Sequence, residues 1–322
     1  MSAVPLLAVT DLSVEFRTRS GTVRALDRVS FEIGRGETLA LVGESGSGKS
    51  VTAFAVMGIL DPAARITAGG IAFGGLDLLA TAERDLQEMR GRELAMVFQN
   101  PRTALNPIRA VGKQLADVLL RHANVLPAQA AARAIELLAQ VKIPDPERRA
   151  RAYPFELSGG MCQRVMIAIA LACSPALLIA DEITTGLDVT TQAVIMDLIG
   201  ELARSREMAT LLITHDLGLA SEQADRIAVM HAGHIVECAP TAELLAHPRH
   251  PYTRSLIAAT PRPTGSLRNL TAIPGGLPDL RSANLPPCRF SARCDRRDLH
   301  CEEHLPRIAI AAGHMVACHH PL

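Results

Sequence analysis

An α/β fold with a mostly parallel sheet is what this chain predicts, and three observations carry the prediction. Between Glu37 and Glu237, short apolar runs of strand length alternate with helical periods. A glycine-rich loop, Gly43-Glu44-Ser45-Gly46-Ser47-Gly48-Lys49-Ser50, joins the first of these runs to a helix. Ahead of them, Leu7–Phe16 and Val23–Ile33 carry alternating apolar positions around Gly21, the pattern of antiparallel strands.

The elements follow in order. Glu37–Val42 reads as a buried strand and Ser50–Met57 as the start of a helix. Ile71–Phe73 and Leu94–Phe98 read as further short strands. From Pro107 to about Val141, Ala and Leu recur at three- and four-residue spacing with few β-branched residues, which predicts a helical insertion. A helix over 159–173, a strand Ala176–Asp181, a helix Thr190–Arg204, a strand Thr210–Thr214 and short strands near Ile227–Met230 and His234–Glu237 complete the alternation. Beyond residue 246 Pro and Gly become frequent, and four of the seven cysteines fall after residue 287. A boundary near 246–250 is therefore expected. It separates a core over 1–246, with a helical subdomain over about 104–173, from a loop-rich, cysteine-containing extension over 247–322.

Composition limits the function classes. The chain has 322 residues, 48% of them apolar, enough for a sizeable core. Its 33 Lys+Arg and 33 Asp+Glu cancel, Trp is absent and Tyr numbers 2, so neither a basic surface nor base-stacking rings point to nucleic acid. Val165–Ala180 is the most apolar stretch, but it is too short to span a bilayer and is broken by Ser174-Pro175. Met1–Leu7 has no basic region and leads into a strand-like segment, so no secretory signal is expected. The reading is cytosolic, with the cysteines reduced.

The loop at 43–50 carries the clearest chemistry. Its three glycines let the backbone curl so that several N–H groups point at one anion. Lys49 has the reach to contact the β- and γ-phosphates of a nucleotide, the Ser50 hydroxyl suits Mg²⁺, and the helix N-terminus that follows favours bound phosphate. A second segment, Leu177-Leu-Ile-Ala-Asp181-Glu182, is an apolar strand ending in two carboxylates. Such endings also occur at surface turns, but behind a phosphate loop the strand-end Asp181 serves Mg²⁺ and Glu182 is placed to activate water. His215 follows strand Thr210–Thr214 and is a candidate to contact the γ-phosphate. In Leu157-Ser158-Gly159-Gly160, Ser158 is a good N-cap and the two glycines leave a helix N-terminus bare for an anion.

The order of these segments, with Leu157–Gly160 after a helical insertion and ahead of Asp181-Glu182, resembles the ABC transporter ATPase family over residues 6 to about 245. The resemblance implies a P-loop ABC ATPase core in which ATP is sandwiched in a dimer, the signature Leu157, Ser158, Gly159 and Gly160 of one subunit covering the nucleotide on the partner's phosphate loop. It also implies that Gln99, in Val97-Phe98-Gln99-Asn100-Pro101, contacts Mg²⁺ and signals to membrane subunits. It makes Asp188 part of the loop Gly186-Leu187-Asp188, His215 the switch histidine and Phe16 the ring that stacks on adenine. Three positions depart from the family pattern: Ile183 replaces a Pro, Gly186 an Ala and Met161 a Gln. None removes a charged or phosphate-binding group, so a competent ATPase half-site is expected.

Phe98–Pro107, Leu157–Arg164, His250-Pro-Tyr-Thr-Arg254 and Ile273-Pro-Gly-Gly276 are similar to the ATPases of oligopeptide and dipeptide importers. The resemblance implies two separate transmembrane permease subunits, a second ABC ATPase subunit in a heterodimer, an extracytoplasmic solute-binding protein, and a place at the cytoplasmic face of the membrane. Nickel importers share much of this pattern. A soluble ABC ATPase is the other alternative, but such members usually carry two cassettes or a long coiled-coil insertion. In the tail, Cys288, Cys294, Cys301 and Cys318 are separated by five, six and sixteen residues. That spacing is neither the paired spacing of common zinc sites nor a ferredoxin run. Their density in a segment poor in core-forming residues suggests a staple: a 4Fe–4S cluster, as on a similar tail in some importers, or zinc, with His314, His319 and His320 nearby, or no metal. Cys162, Cys173 and Cys238 lie in apolar elements and read as small core residues.

Overall fold

The alternating residues of the amino-terminal segment form an antiparallel pair, β1 (Leu7–Thr18) and β2 (Gly21–Ile33), in register from Leu7↔Ile33 to Thr18↔Gly21. Leu7, Val9, Leu12 and Val14 of β1 are buried, as are Leu26, Val29, Phe31 and Ile33 of β2. The computed structural model describes residues 4–123, 125–261, 271–282 and 284–322, so the first residues of the Met1–Leu7 segment lie outside it. It divides into two units, Met1–Ala80 with Leu212–Leu322, and Thr81–Leu211.

In the first unit, β3 (Thr38–Val42), α1 (Lys49–Met57), β4 (Ala64–Phe73) and β5 (Leu76–Asp77) follow β2. One sheet has the order β2–β1–β4–β5. The apolar pattern predicts a strand only at Ile71–Phe73, yet β4 begins at Ala64. The extra length runs through Ala68-Gly69-Gly70, residues with little strand preference of their own. Tertiary pairing supplies the reason. β1 shifts register between Thr10 and Ser13, with Asp11 at φ 47°, and Gly69 lies against that bulge. A Cβ on Gly69 would sit 2.5 Å from the Asp11 backbone, so only glycine fits.

In the second unit, α2 (Glu83–Met89) precedes β6 (Leu94–Val97). Helix α3 (Pro101–Ala104) comes before the segment read as a helical insertion, α4 (Val111–His122) and α5 (Pro127–Gln140) occupy it, and α6 (Pro146–Arg149) follows it. Buried Val111, Leu115 and Leu119 of α4, and Ala130, Ala134, Leu137 and Leu138 of α5, recur at the spacing of one helix face. Then come α7 (Gly159–Leu171), β7 (Leu177–Asp181) and α8 (Val189–Arg206). β6 and β7 pair in parallel and are buried at every position, as continuous apolar runs in parallel sheets are. Cys162 is buried in α7, whereas Cys173, just past its end, is half-buried and not a core residue.

β8 (Ala209–Thr214) carries the chain back to the first unit, where α9 (Leu217–Gln223), β9 (Arg226–His231) and β10 (His234–Pro240) follow. β3 and β9 are parallel; β9 and β10 are antiparallel. α10 (Thr241–Ala246) ends the segment read as the core. Among the described residues beyond it, α11 (Pro251–Ala259), β11 (Ile308–Ala311) and β12 (His314–Val316) are joined by long loop segments. His250 caps α11 by accepting the Tyr252 N–H at 3.0 Å, with Pro251 at the first helical position. β12 pairs with β10 at Glu237↔Val316 and Cys238↔Met315, extending the sheet to β11–β12–β10–β9–β3.

Candidate active site

The glycine-rich loop sits between β3 and α1. Gly46 and Gly48 have φ of 80° and 108°, left-handed conformations that other residues rarely adopt. A Cβ on Gly43 would meet the Met230 carbonyl oxygen at 2.0 Å, so the loop lies flat against the end of β9. Gly48 gives α1 no side-chain cap and there is no acidic residue in its first turn, so no carboxylate of the helix competes with an anion at its N-terminus. Lys49 is 4% exposed, and its ammonium donates to the carbonyls of Gly43 and Glu44 at 2.9 and 3.0 Å. The side chain is thereby bent back over its own loop. Ser50 is half-buried at the second position of α1, and Ser45 and Gly46 at the loop tip are exposed.

Residues distant in sequence hold this loop from behind. The Glu44 N–H donates to the Tyr252 hydroxyl at 3.2 Å, and Arg293 donates twice to the Glu44 carboxylate, at 2.7 Å on each oxygen. The Gly233 N–H donates to the Ser47 carbonyl at 2.7 Å. Tyr252, His231 and Phe290 pack edge-on or tilted around this point. Tyr252 lies in His250-Pro-Tyr-Thr-Arg254, a segment the resemblance marks without giving it this role, and no segment singled out in the sequence includes Arg293.

Also in the first unit, His215 is exposed directly after β8, ahead of α9, which is capped by Asp216. Phe16 is half-buried within β1, paired with Val23 and Ala64.

In the second unit, Asp181 ends β7 and is 4% exposed. Glu182 follows at φ 46°, a strained backbone for a carboxylate residue. Gln99, just past β6, donates its amide N–H to the Glu182 carboxylate at 2.6 Å, so the structure joins two residues that the sequence places 83 apart. Ile183 is 1% exposed and fills the core where the resemblance leads one to expect Pro. Gly186 has φ 78°, a conformation that Ala would strain. Ser158 caps α7 as expected, accepting the Met161 N–H at 3.3 Å. Leu157 is buried, and a Cβ on Gly159 would meet nothing within 4 Å, while one on Gly160 would touch Thr191. Gln163 is buried and so does not take the place that Met161 vacates. Asp188 caps α8, bonded to the N–H and hydroxyl of Thr191, which holds its carboxyl below the usual range.

The tail cysteines are all free; Cys288, Cys301 and Cys318 are buried and Cys294 is half-buried. Burial, opposed by the Phe290 amide and reinforced by the other three thiols, pushes the Cys288 thiol up to about 12. The Arg296 N–H donates to the Cys294 sulfur at 3.4 Å and the His320 N–H to the Cys318 sulfur at 3.3 Å. Asp298, Cys301 and His320 bring ligand atoms within 4.8 Å of one another. His314 is not with them: it is buried against Glu237, at 2.8 Å.

Comparison with known proteins agrees with this geometry. A family profile described as ABC transporter matches residues 26–185, and one described as oligopeptide/dipeptide transporter, C-terminal region, matches 236–301. The dipeptide transport ATP-binding protein DppD of Bacillus subtilis is 45% identical over 315 residues, 97% of this chain and 94% of that protein. The oligopeptide transport ATP-binding protein OppD of the same species is 50% identical over 277 residues, 85% and 77% of the two chains. A solved ATP-binding cassette, dimeric in a post-hydrolysis state with ADP and phosphate, superposes with a TM-score of 0.66 at 25% identity, over 73% of this chain and 98% of that one. On these grounds the chain belongs to the ABC transporter ATP-binding subunits, in the branch that carries the oligopeptide/dipeptide transporter C-terminal region.

Proposed function

We propose that the chain binds and hydrolyses ATP to power import of di- and oligopeptides through a membrane ABC transporter. One observation carries the reading: the segment holding the phosphate loop and the strand-end carboxylates matches the ABC transporter profile, and the tail matches the oligopeptide/dipeptide region. Curated relatives over nearly the whole length are dipeptide transport ATP-binding proteins, which favours peptides over nickel and transport over a soluble role.

The residues divide the work. Gly43, Glu44, Ser45, Gly46, Ser47 and Gly48 supply the curled backbone, and Lys49 turns from its own carbonyls to the β- and γ-phosphates. The Ser50 hydroxyl, the Asp181 carboxylate and the Gln99 amide oxygen are hard oxygen donors, which fit Mg²⁺. Magnesium bound there offsets charge on the phosphate oxygens. Gln99 donates to Glu182 through its nitrogen, which leaves the amide oxygen for a cation. Glu182 accepts the proton of the attacking water. His215 contacts the γ-phosphate side and Phe16 the adenine. Leu157, Ser158, Gly159, Gly160 and Asp188 meet the nucleotide held by a partner subunit.

That partner is a second ABC ATPase, in a heterodimer. No helix among the described residues is long and apolar enough to cross a membrane. The reading gives the transport path to two separate permease subunits, supplied by a solute-binding protein. The chain works at the cytoplasmic face of the membrane. Residues 1–246 are the cassette and 247–322 its extension.

We assign the four tail cysteines a 4Fe–4S cluster ahead of zinc on the resemblance to similar importer tails. The donor set is four thiols, and backbone N–H groups two residues on already point at the sulfurs of Cys294 and Cys318. A cluster there supplies a covalent staple and a redox-active centre. Anaerobic purification should yield a brown protein with iron and sulfide; a colourless, iron-free, folded protein overturns the cluster.

The central test is Glu182→Gln in the assembled transporter in proteoliposomes. It should abolish ATP-driven uptake of a labelled dipeptide while ATP still binds; unchanged turnover refutes Glu182 as the base.

A further inference from the structure

The carboxylate of Glu44 poses an electrostatic problem. It lies one residue into a loop whose amides attract phosphate, and an uncompensated negative charge there would oppose an anion. Arg293, which follows Glu44 by 249 positions, resolves it. Its Nη1 and Nη2 donate to the two carboxylate oxygens at 2.7 Å each, a two-pronged pair. Two further donors are also used: Nε donates to the Pro274 carbonyl at 2.7 Å and Nη1 to His231 Nε2 at 3.2 Å. The Arg293 side chain is 5% exposed and lies over the Phe290 ring at 5.7 Å. Burial and the Arg293 charge hold His231 at about 3, so it is neutral and accepts from the guanidinium.

The grip is not confined to one residue. Tyr252 receives the Glu44 N–H, and Arg289, which is 3% exposed, donates to the Ala232 carbonyl beside Gly233, whose N–H binds Ser47. Both shoulders of the phosphate loop are thus fixed from outside, and Arg293, Arg289, Pro274 and Tyr252 all come from beyond residue 246.

We propose that Arg293 is a positioning residue for ATP: it neutralises Glu44 and holds the phosphate loop in its curled form, so the C-terminal extension sets the chain's affinity for Mg-ATP. The inference rests on the loop being the ATP site. Because Arg293 acts through Glu44, removing the carboxylate should relieve the loss of the guanidinium. A purely structural anchor would show no such rescue.

The experiment is equilibrium titration of the full chain with a non-hydrolysable ATP analogue and Mg²⁺. Arg293→Ala should weaken binding about tenfold, the scale of one charge-assisted pair. Arg293→Lys, which keeps the charge but loses the fork, should fall between. Arg293→Ala with Glu44→Gln should return to within about threefold of the unaltered chain. A folded Arg293→Ala chain that binds within twofold of the unaltered one overturns the proposal, and so does a double variant no better than Arg293→Ala alone. If Arg293→Ala does not fold, Arg293→Lys with and without Glu44→Gln gives the same two comparisons. Failure of the underlying reading looks different: the unaltered chain would not saturate, or Lys49→Ala would bind as well as it does.

Discussion

Lys49 is buried and bonded to two carbonyls of its own loop, and the loop is backed by Tyr252 and Arg293. In the second unit, Gln99 and Ser158 are exposed, Glu182 is half-buried on a strained backbone, and Gly159 faces open space. One set is a cradle ordered before any ligand arrives; the other lies at a surface and, on the proposed function, supplies the reactive and recognition groups. A preordered cradle suits ground-state binding. A strained carboxylate beside an exposed amide suits a step that needs rearrangement. The two sets should therefore separate in kinetics, the first acting on affinity and the second on turnover.

The largest effects should fall on that division. Lys49→Ala removes a charge-assisted contact to phosphate and should raise the dissociation constant for Mg-ATP about a hundredfold. Glu182→Gln should leave that constant within a few-fold and lower turnover by about 10²–10⁴. Isothermal titration together with phosphate release measures both. If Lys49→Ala cut only turnover, or Glu182→Gln only affinity, the contrast between cradle and surface would collapse. Gln99→Ala is the next step down. It removes the donor to Glu182 at 2.6 Å, and turnover should drop about tenfold with KM for ATP nearly unchanged.

Both sets differ also in how far the sequence discloses them. The glycine spacing of 43–50, the apolar run into Asp181-Glu182 and the cap at Ser158 are local patterns, and β3, α1, β7 and α7 appear close to where those patterns place them. Gly186 and Ile183 read as departures in sequence. In the structure one relieves a left-handed turn and the other fills the core. The support behind the phosphate loop was not legible, because its partners lie 208 and 249 residues away: the motif His250–Arg254 contains Tyr252 without saying what it holds, and nothing local marks Arg293. The tail reads as loop by its Pro and Gly content. Its order comes from pairing with β10 and from buried Arg289 and Phe290, which are tertiary causes. The first part of β4, from Ala64 to Gly70, was hidden for the same reason, since Gly69 is required by a bulge on another strand.

Acid should act first on the cradle's support. Burial, then Arg293, holds His231 at about 3, and burial, then His231, holds His250 at about 3; burial also lowers His234. These histidines have folded values below their unfolded ones. Between about pH 6.5 and 3 the unfolded chain binds more protons, so stability is present above that window and lost as pH falls into it. The slope is about 1.4 kcal/mol per pH unit for each such histidine. His300, raised by exposed Asp298, opposes this weakly. Thermal melts from pH 7 to 4.5 should show a falling Tm, and His231→Gln, which still offers an acceptor to Arg293, should flatten the fall. A Tm constant from pH 6.5 to 5 would contradict the buried-histidine account.

The smallest effect tests the surface set at Ser158, where two roles coincide. Its hydroxyl caps α7, accepting the Met161 N–H, and the residue also belongs to the segment assigned to a partner's nucleotide. Ser158→Ala should cost about 1 kcal/mol of stability through the lost cap. Ser158→Asp restores the cap, because a carboxylate accepts the same N–H, and should return the Tm to that of the unaltered chain. The same Asp puts a negative charge where a partner's phosphates would lie, so ATP-dependent dimerisation should fall even though the fold is intact. Sedimentation with the analogue and Mg²⁺ separates the outcomes. If Ser158→Asp restored both stability and dimerisation, Ser158 would be a helix cap alone, and the half-buried glycines after it would lose their strongest claim to a nucleotide.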